Sequence, residues 1–73
     1  MNNKKIFGQR LKKLREEKGV SARIASELCG TSDTTWWNYE SGKSFPPVRI
    51  LLYIADYYDV SLDYLVGRSE KRR

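Results

Sequence analysis

The sequence predicts an all-α domain of five short helices. Apolar residues recur at helical spacing in five separate segments, and serine, glycine and proline residues stand at the expected starts and stops. β-branched residues are scattered and no alternation of apolar and polar residues persists, so no strand is predicted. The 73 residues (1–73) fit one domain, with a core of about 5–67 and a basic tail over 68–73 that we predict to be disordered.

The first helix is predicted from about Lys4 to Lys18. Phe7, Leu11 and Leu14 lie at positions i, i+4 and i+7, and charged residues occupy the other side. Gly19 ends this helix, because glycine readily adopts the left-handed conformation of a helix stop.

The second and third helices are short and closely spaced. The second is predicted from Ser21 to near Gly30, with an apolar stripe of Ile24, Ala25, Leu28 and Cys29. The third starts at Ser32 and closes at Ser41–Gly42. Gly30 suits a tight turn between them, which is the arrangement of a helix-turn-helix.

Two further helices follow the Pro46–Pro47 loop. The fourth is predicted to run from Pro47 to about Tyr58, with its core side formed by Val48, Leu51, Ile54, Ala55 and Tyr58. Ser61 caps a fifth helix over 62–66. Helices of this length, joined by short turns, make a compact all-α domain.

Composition excludes several classes of protein. One cysteine and no histidine rule out a disulfide framework and zinc sites built from paired cysteines or histidines, so no metal or cofactor is predicted. The sequence lacks paired-carboxylate and phosphate-loop motifs, and we expect too little volume for a ligand cleft of about 300 Å³, so an enzyme is not predicted. No apolar run suits a membrane span, and Met1 to Lys5 do not begin a secretion signal, which favours the reducing cytoplasm.

The net charge of +5 is concentrated at the two ends of the chain. Residues 1–18 carry +5 and 67–73 carry +3, whereas 19–46 carry −1 and 47–66 carry −2. If the protein binds DNA, non-specific attraction to phosphates must come largely from the first helix and the tail. The alternative is that a lysine-rich helix face is only a solvated face.

Three pieces of the chain, in order, resemble the lambda-repressor-like family, the Cro and repressor type of helix-turn-helix also called XRE. Residues 7–19 (FGQRLKKLREEKG) are similar to its first helix, 39–43 (YESGK) to the close of its third, and 51–56 with 60–67 to its last two helices. The resemblance covers 7–67. It implies a five-helix domain whose dimer places the third helix of each subunit in the major groove of double-stranded DNA, at a palindromic site.

The same resemblance implies particular contacts with DNA. Positions that match the family's contacts to phosphates and base edges are Ser21, Ala22, Arg23, Ser32, Asp33, Thr34, Trp37, Asn38, Lys43 and Ser44. Helical geometry independently groups part of this set: if Trp36 and Tyr39 point inward, residues 33, 34, 37, 38 and 41 share the outward side. The family also pairs the positions of Arg15 and Glu40 in an ion bridge between the first and third helices.

Several positions carry alternative interpretations. Ala22 stands where the family usually has glutamine, which removes one phosphate contact. Asp33 either accepts a hydrogen bond from cytosine or only complements the helix macrodipole. Trp37 contacts thymine methyls and sugars, anchors a protein partner, or folds its ring onto the helix beside Lys43. Asn38 either reads adenine or is a solvated amide.

A second apolar stripe on the fourth helix, formed by Ile50, Tyr53 and Tyr57, predicts a homodimer interface. The leading functional hypothesis is a small sequence-specific DNA-binding transcriptional regulator, with repression by operator occupancy as its simplest mechanism. The competing hypothesis is a protein-interaction module with little or no DNA binding, because 31–42 contain no lysine or arginine.

Overall fold

The computed structural model describes residues 3–73 and contains five α-helices within them. These are α1 (Asn3–Lys18), α2 (Ala22–Leu28), α3 (Asp33–Glu40), α4 (Val48–Tyr58) and α5 (Leu62–Leu65). No strand occurs between residues 3 and 73, so the all-α prediction is confirmed. The same stretch holds no helix with the length and apolarity that a membrane crossing needs. The expectation that Met1 to Lys5 do not begin a secretion signal concerns a segment that lies partly outside the described residues.

Three serines start helices as the sequence predicts. Ser21, Ser32 and Ser61 have extended backbones, and each hydroxyl accepts a hydrogen bond from the backbone N–H three residues later, at 3.0 to 3.2 Å. Each cap satisfies a helix N–H that otherwise has no partner, which contributes about 1 kcal/mol. This matters most for α2 and α5, which are too short to be stable alone.

One core joins all five helices. Its largest fully buried side chain is Trp36 of α3, which is 0% exposed, and Phe7 of α1 packs edge-on against Tyr39 and Phe45. The other buried apolar side chains are Leu11, Leu14, Ala25, Cys29, Ile50, Leu51, Ile54, Ala55, Tyr58, Tyr64 and Leu65. Burial raises the pKa of the Cys29 thiol to about 11, so this sulfur is protonated at neutral pH.

Three apolar side chains predicted to face inward are exposed instead. Ile24 is 43% and Leu28 60% exposed, because α2 turns positions 25, 26 and 29 toward the core. Val48 is 68% exposed, since it is the first residue of α4 and projects beyond the core. The inward face of α2 is therefore built of small residues, and the bulk of Trp36 fills the space beside it.

The fourth helix also corrects the predicted dimer stripe. Ile50 is only 5% exposed and belongs to the core, so it is not part of a free surface. Tyr57 is half-buried: its ring packs at 4.7 Å from that of Tyr58 and beneath the Lys18 ammonium, at 4.6 Å. Of the stripe, Tyr53 alone is well exposed, at 49%. The helical periodicity predicted Ile50 on the outer face of α4, whereas packing buries it in the core.

The basic tail is docked, and the prediction that it is disordered is wrong. Arg72 forms two 2.9 Å hydrogen bonds to the Glu17 carboxylate of α1, and its carbonyl accepts a hydrogen bond from the N–H of Ser61 at 2.6 Å. From α1, the Arg10 guanidinium donates to the carbonyls of Ser69 and Tyr64. The tail thus lies along α1 and α5.

Replacing Trp36 tests the packing of the α2–α3 contact. We expect Trp36→Ala to lower the free energy of unfolding by about 3–5 kcal/mol, because it leaves a cavity where the neighbouring α2 side chains are small. Trp36→Phe keeps most of the volume and should lose clearly less. Urea denaturation of both variants measures this, and equal losses would show that ring volume is not what the site requires.

Candidate nucleic-acid interface

The α2 and α3 helices are joined by a turn of fixed geometry. Gly30 has a φ of +76°, a left-handed conformation that a residue with a β-carbon rarely adopts. The N–H of Thr31 bonds the carbonyl of Ser26 at 2.9 Å, which satisfies the end of α2. Ser32 then starts α3 at once. The chain therefore forms the two-helix unit that the spacing predicts.

A polar contact inside this unit fixes α3 against α2. Ser26 is 0% exposed, and its hydroxyl lies 2.9 Å from the Asp33 carboxylate and 2.8 Å from the carbonyl of Arg23. The single hydroxyl hydrogen thus serves two acceptors. Asp33 remains exposed and stands in the first turn of α3, where the macrodipole favours an acid. One of its oxygens therefore has a structural role, and the other stays available to solvent or a ligand.

The outer side of α3 carries the predicted recognition residues. Thr34, Trp37 and Ser41 are exposed, and Asn38 is half-buried. Trp36 and Tyr39 point into the core, at 0% and 5% exposure. This division follows from the helical period, because residues three and four apart share a face.

Trp37 is the most exposed aromatic side chain on this surface, at 65%. An indole so placed leaves a large apolar area in water. The three interpretations of Trp37 stay predictions. The ring contacts thymine methyls and sugars, anchors a protein partner, or folds onto the helix beside Lys43.

An ion pair joins α1 to the end of α3. The Arg15 guanidinium donates to both Glu40 oxygens, from Nε to Oε2 at 2.6 Å and from Nη2 to Oε1 at 3.1 Å. The two side chains are 17% and 5% exposed. The hydrogen bond from Arg15 to Glu40 raises the pKa of Arg15 above its ordinary value, although burial acts in the other direction. Arg15 also donates to the carbonyl of Val20, at 3.1 Å, so its position is fixed from two sides.

The sequence did not reveal that Trp36 belongs to this network. Its indole Nε1–H donates to Oε2 of Glu40 at 2.7 Å, on the same oxygen that receives Arg15. A buried indole needs an acceptor, and Glu40 lies one turn later on the same helix, at i+4. The i, i+4 spacing of Trp36 and Glu40 in the sequence could have indicated this hydrogen bond.

The α1 and α3 helices approach each other closely at Gly8. A β-carbon built there would lie 2.6 Å from the carbonyl oxygen of Tyr39 and 2.7 Å from that of Glu40. No side chain larger than hydrogen fits without moving backbone, and this sets the distance between the two helices. Gly8 is a positioning residue that sequence reasoning did not single out.

The remaining predicted contact residues flank α3. At the start of α2, Ser21 and Arg23 are exposed and Ala22 is half-buried. Arg23 lies 3.8 Å from Glu27, an exposed i, i+4 pair that stabilises the helix by only about 0.3–0.5 kcal/mol. After α3, Lys43 is exposed and Ser44 half-buried. Their backbone N–H groups both bond the carbonyl of Asn38, at 2.9 and 3.3 Å, so this loop is ordered by α3 itself.

An open groove of about 400 Å³ lies between α1 and the tail, away from α3. It is lined by Gln9, Arg10, Lys13, Tyr64, Glu70 and Arg72. This volume exceeds the size that we expected the chain to hold, because the docked tail forms one wall. Arg10 is already bound to the carbonyl of Ser69 in the tail, and Arg72 is bound to Glu17.

Comparison with known proteins decides the family. Residues 6–65 match the family described as helix-turn-helix domain. The chain belongs to the helix-turn-helix family. The Cro and repressor type that the sequence resembles is thereby confirmed, because the similar proteins include regulators and a phage repressor of this kind. No solved structure gives a significant match.

The curated relatives are transcriptional regulators by name. The chain is 34% identical over 64 residues to the HTH-type transcriptional regulator AnsR of Bacillus subtilis, with 88% of this chain and 55% of the relative covered. It is 35% identical over 64 residues to ImmR of the same species, with 88% and 50% covered. It is 41% identical over 49 residues to the cryptic phage CTXphi transcriptional repressor RstR of Vibrio cholerae, with 67% and 43% covered. The chain thus spans about half the length of these relatives.

Removing the ion pair tests how α3 is held on α1. We expect Glu40→Leu to cost more than Arg15→Leu, because it leaves a buried guanidinium uncompensated and also removes the acceptor of Trp36. Each loss should reach about 3–5 kcal/mol, which is typical when one partner of a buried pair is deleted. The double variant should lose less than the sum, since neither charge remains. Urea denaturation of the wild type, the two single variants and the double variant measures the coupling energy between Arg15 and Glu40. Strictly additive losses would contradict the expected coupling.

Proposed function

We propose that the protein is a sequence-specific DNA-binding transcriptional regulator that acts by occupying an operator. Repression is the simplest such mechanism, because a bound domain blocks access to the DNA beneath it. The observation that carries this proposal is the uncovered outer side of α3, with Thr34, Trp37 and Ser41 exposed while the inner side is fixed by Glu40. The names of the relatives support it.

The side chains on this surface have the chemistry of base reading. A major groove about 12 Å wide admits a helix, and an asparagine amide can form two hydrogen bonds with adenine. We assign that role to Asn38. Thr34 and Trp37 would meet thymine methyls or sugars, and the free oxygen of Asp33 would accept a hydrogen bond from a cytosine amino group. Ser21, Ala22, Arg23, Ser32, Lys43 and Ser44 would contact the sugar-phosphate backbone.

A regulator of this kind catalyses no reaction, and it works where the DNA is. We therefore place the protein in the cytoplasm and assign it no cofactor. The relatives named above are regulators, which is a non-enzymatic class.

Binding of labelled random duplex at two salt concentrations tests the function directly. A DNA-binding domain should retard the duplex at low salt. Its affinity should fall steeply as salt rises, because its lysine and arginine side chains release the cations condensed on the DNA phosphates, and added salt opposes that release. If no retardation occurs at low salt, the DNA proposal fails and the exposed Trp37 becomes the best evidence for a protein-interaction module.

Asn38→Ala tests base reading. We expect it to weaken binding to a selected site by about 1–3 kcal/mol, the usual discrimination of a bidentate amide contact, with almost no change in the thermal melt. Binding to random duplex should change little and serves as the control. An equal loss on both duplexes would mean that Asn38 does not read a base.

We also propose that the protein binds DNA as a homodimer through the exposed side of α4. Val48 and Leu52 lie one turn apart there, at 68% and 45% exposure, and Tyr53 is 49% exposed. Arg49 and Asp56, both exposed, lie between these apolar side chains on the helix surface. A two-fold interface is self-complementary, so Arg49 can meet Asp56 of the partner subunit twice. This surface replaces the predicted stripe of Ile50, Tyr53 and Tyr57.

Charge reversal tests that interface. Arg49→Asp and Asp56→Arg should each weaken cooperative binding to a palindromic duplex, because each places like charges opposite one another. The double variant restores opposite charges and should recover cooperativity, with stoichiometry measured by sedimentation of the complexes. Failure of the double variant to recover, with an unchanged melt, would remove α4 as the dimer surface.

A further inference from the structure

Asp33 is an exposed residue with one oxygen bound to a buried group. Its Oδ1 lies 2.9 Å from the hydroxyl oxygen of Ser26, which is 0% exposed. On the core side of α2, the neighbours of Ser26 are the apolar residues Ala25 and Cys29, both of them buried. The contact therefore joins a hydroxyl in the core to a side chain at the start of the outer side of α3.

The stability of the fold does not require this hydrogen bond. The Ser26 hydroxyl has a second acceptor in the carbonyl oxygen of Arg23, at 2.8 Å. Asp33 is exposed, so water would satisfy its carboxylate if Ser26 did not. Alanine would also fit the space that serine occupies. What the bond adds is a fixed orientation of the Asp33 side chain.

The hydroxyl hydrogen is directed mainly to the carboxylate. A charged carboxylate is a stronger acceptor than a neutral carbonyl, and it only accepts. If the hydrogen pointed to the Arg23 carbonyl alone, a lone pair of the hydroxyl would face the negative Oδ1 of Asp33 at 2.9 Å. The two oxygens of a carboxylate diverge, so when Oδ1 is held against α2, Oδ2 is directed away from it. Asp33 thus presents one acceptor of fixed direction.

A fixed carboxylate discriminates among bases in the major groove. Cytosine presents an amino donor there, whereas guanine presents two acceptors and thymine presents one. Adenine presents an amino donor beside an acceptor. A group that only accepts therefore binds cytosine best and is repelled by guanine. A carboxylate that is free to rotate would turn away from guanine and lose this repulsion.

We propose that Ser26 is a positioning residue that makes the Asp33 contact specific for cytosine. The buried hydroxyl holds the carboxylate in one orientation, so a guanine at that place meets an acceptor that does not turn away. This inference rests on the proposed function and adds the source of its specificity at one base pair. Ser26 itself touches no DNA, because it is fully buried.

A double-mutant cycle tests the inference. The wild type, Ser26→Ala, Asp33→Ala and the double variant are titrated with two duplexes, a site selected from a random pool and the same site with one C·G pair inverted. That pair is the one whose inversion no longer matters in Asp33→Ala. Ser61→Ala is the matched control, because it also removes one hydroxyl, but from the cap of α5 outside the α2–α3 unit. Thermal melts are recorded for every protein.

The ratio of the two dissociation constants is the decisive quantity. The wild type should prefer the cytosine duplex by about 5–150-fold, the usual effect of one wrong base pair. Ser26→Ala should reduce this ratio by about 2–12-fold, the range for releasing one immobilised side chain, chiefly by binding the inverted duplex more tightly. In the Asp33→Ala background, the Ser26 change should leave the ratio unaltered. Ser61→Ala should melt at a lower temperature and keep the wild-type ratio.

The orientation of Asp33 is measured separately in the free protein. The Hα–Hβ couplings of Asp33 in NMR spectra should show one χ1 rotamer in the wild type and an average over rotamers in Ser26→Ala. A merely structural role for Ser26 would instead lower the melt and weaken binding to both duplexes equally, and that result would overturn the inference.

The remaining contrary outcomes are distinguishable from one another. If the Asp33 rotamers already average in the wild type, or if Ser26→Ala keeps the wild-type ratio, Ser26 positions nothing. If no C·G pair of the selected site depends on Asp33, this residue reads no cytosine, and the inference fails while the proposed function stands. If the wild type retards no duplex at low salt, the proposed function fails and the inference fails with it.

Discussion

The arrangement of the helices depends on the hydrogen bonds that the buried Glu40 carboxylate accepts from Arg15 and Trp36. This carboxylate is 5% exposed and stands at the last residue of α3, where the macrodipole disfavours an acid. Arg15 compensates its charge from α1, and the indole N–H of Trp36 occupies the same oxygen as the Arg15 Nε–H. A buried ion pair gives little net stability, but it strongly penalises arrangements that separate its partners. The pair therefore fixes the direction of α3 more than it stabilises the fold.

This constraint explains the character of the outer side of α3. Because Glu40 and Trp36 satisfy one another inside, neither presents charge or apolar area to solvent. Asp33 has one oxygen bound to the hydroxyl of buried Ser26, which leaves α3 held at both ends. A helix fixed in this way can present short side chains in a defined geometry. Such preorganisation lowers the entropy lost when a ligand binds.

The sequence predicted those features that depend on local chemistry. The serine caps, the turn at Gly30 and the burial of Trp36 follow from neighbouring residues and from the helical period. Periodicity failed where two adjacent faces of a helix are both apolar. Ile50 is buried and Val48 exposed because the position of α4 in the fold, not its composition, decides which face is inside.

Long-range contacts could not be predicted from the residues alone. The docked tail brings Arg72 to Glu17, which lies 55 residues earlier, and nothing in either local sequence indicates that pairing. The close approach at Gly8 is of the same kind, since it is needed only because the carbonyls of Tyr39 and Glu40 lie opposite it. The ion pair between Arg15 and Glu40 could be predicted only from the family resemblance.

The docked tail changes what the net charge of +5 means for a duplex. Arg72 and Arg73 are paired with Glu17 and Asp59, so part of the tail's formal charge is compensated within the molecule. These pairs are largely exposed, and screening by salt makes them weak. The hydrogen bond from the Ser61 N–H to the Arg72 carbonyl and the hydrogen bond from Arg10 to the Ser69 carbonyl do not depend on that attraction in the same way, because at least one group in each is uncharged. The tail should therefore remain docked at salt concentrations that abolish its ion pairs.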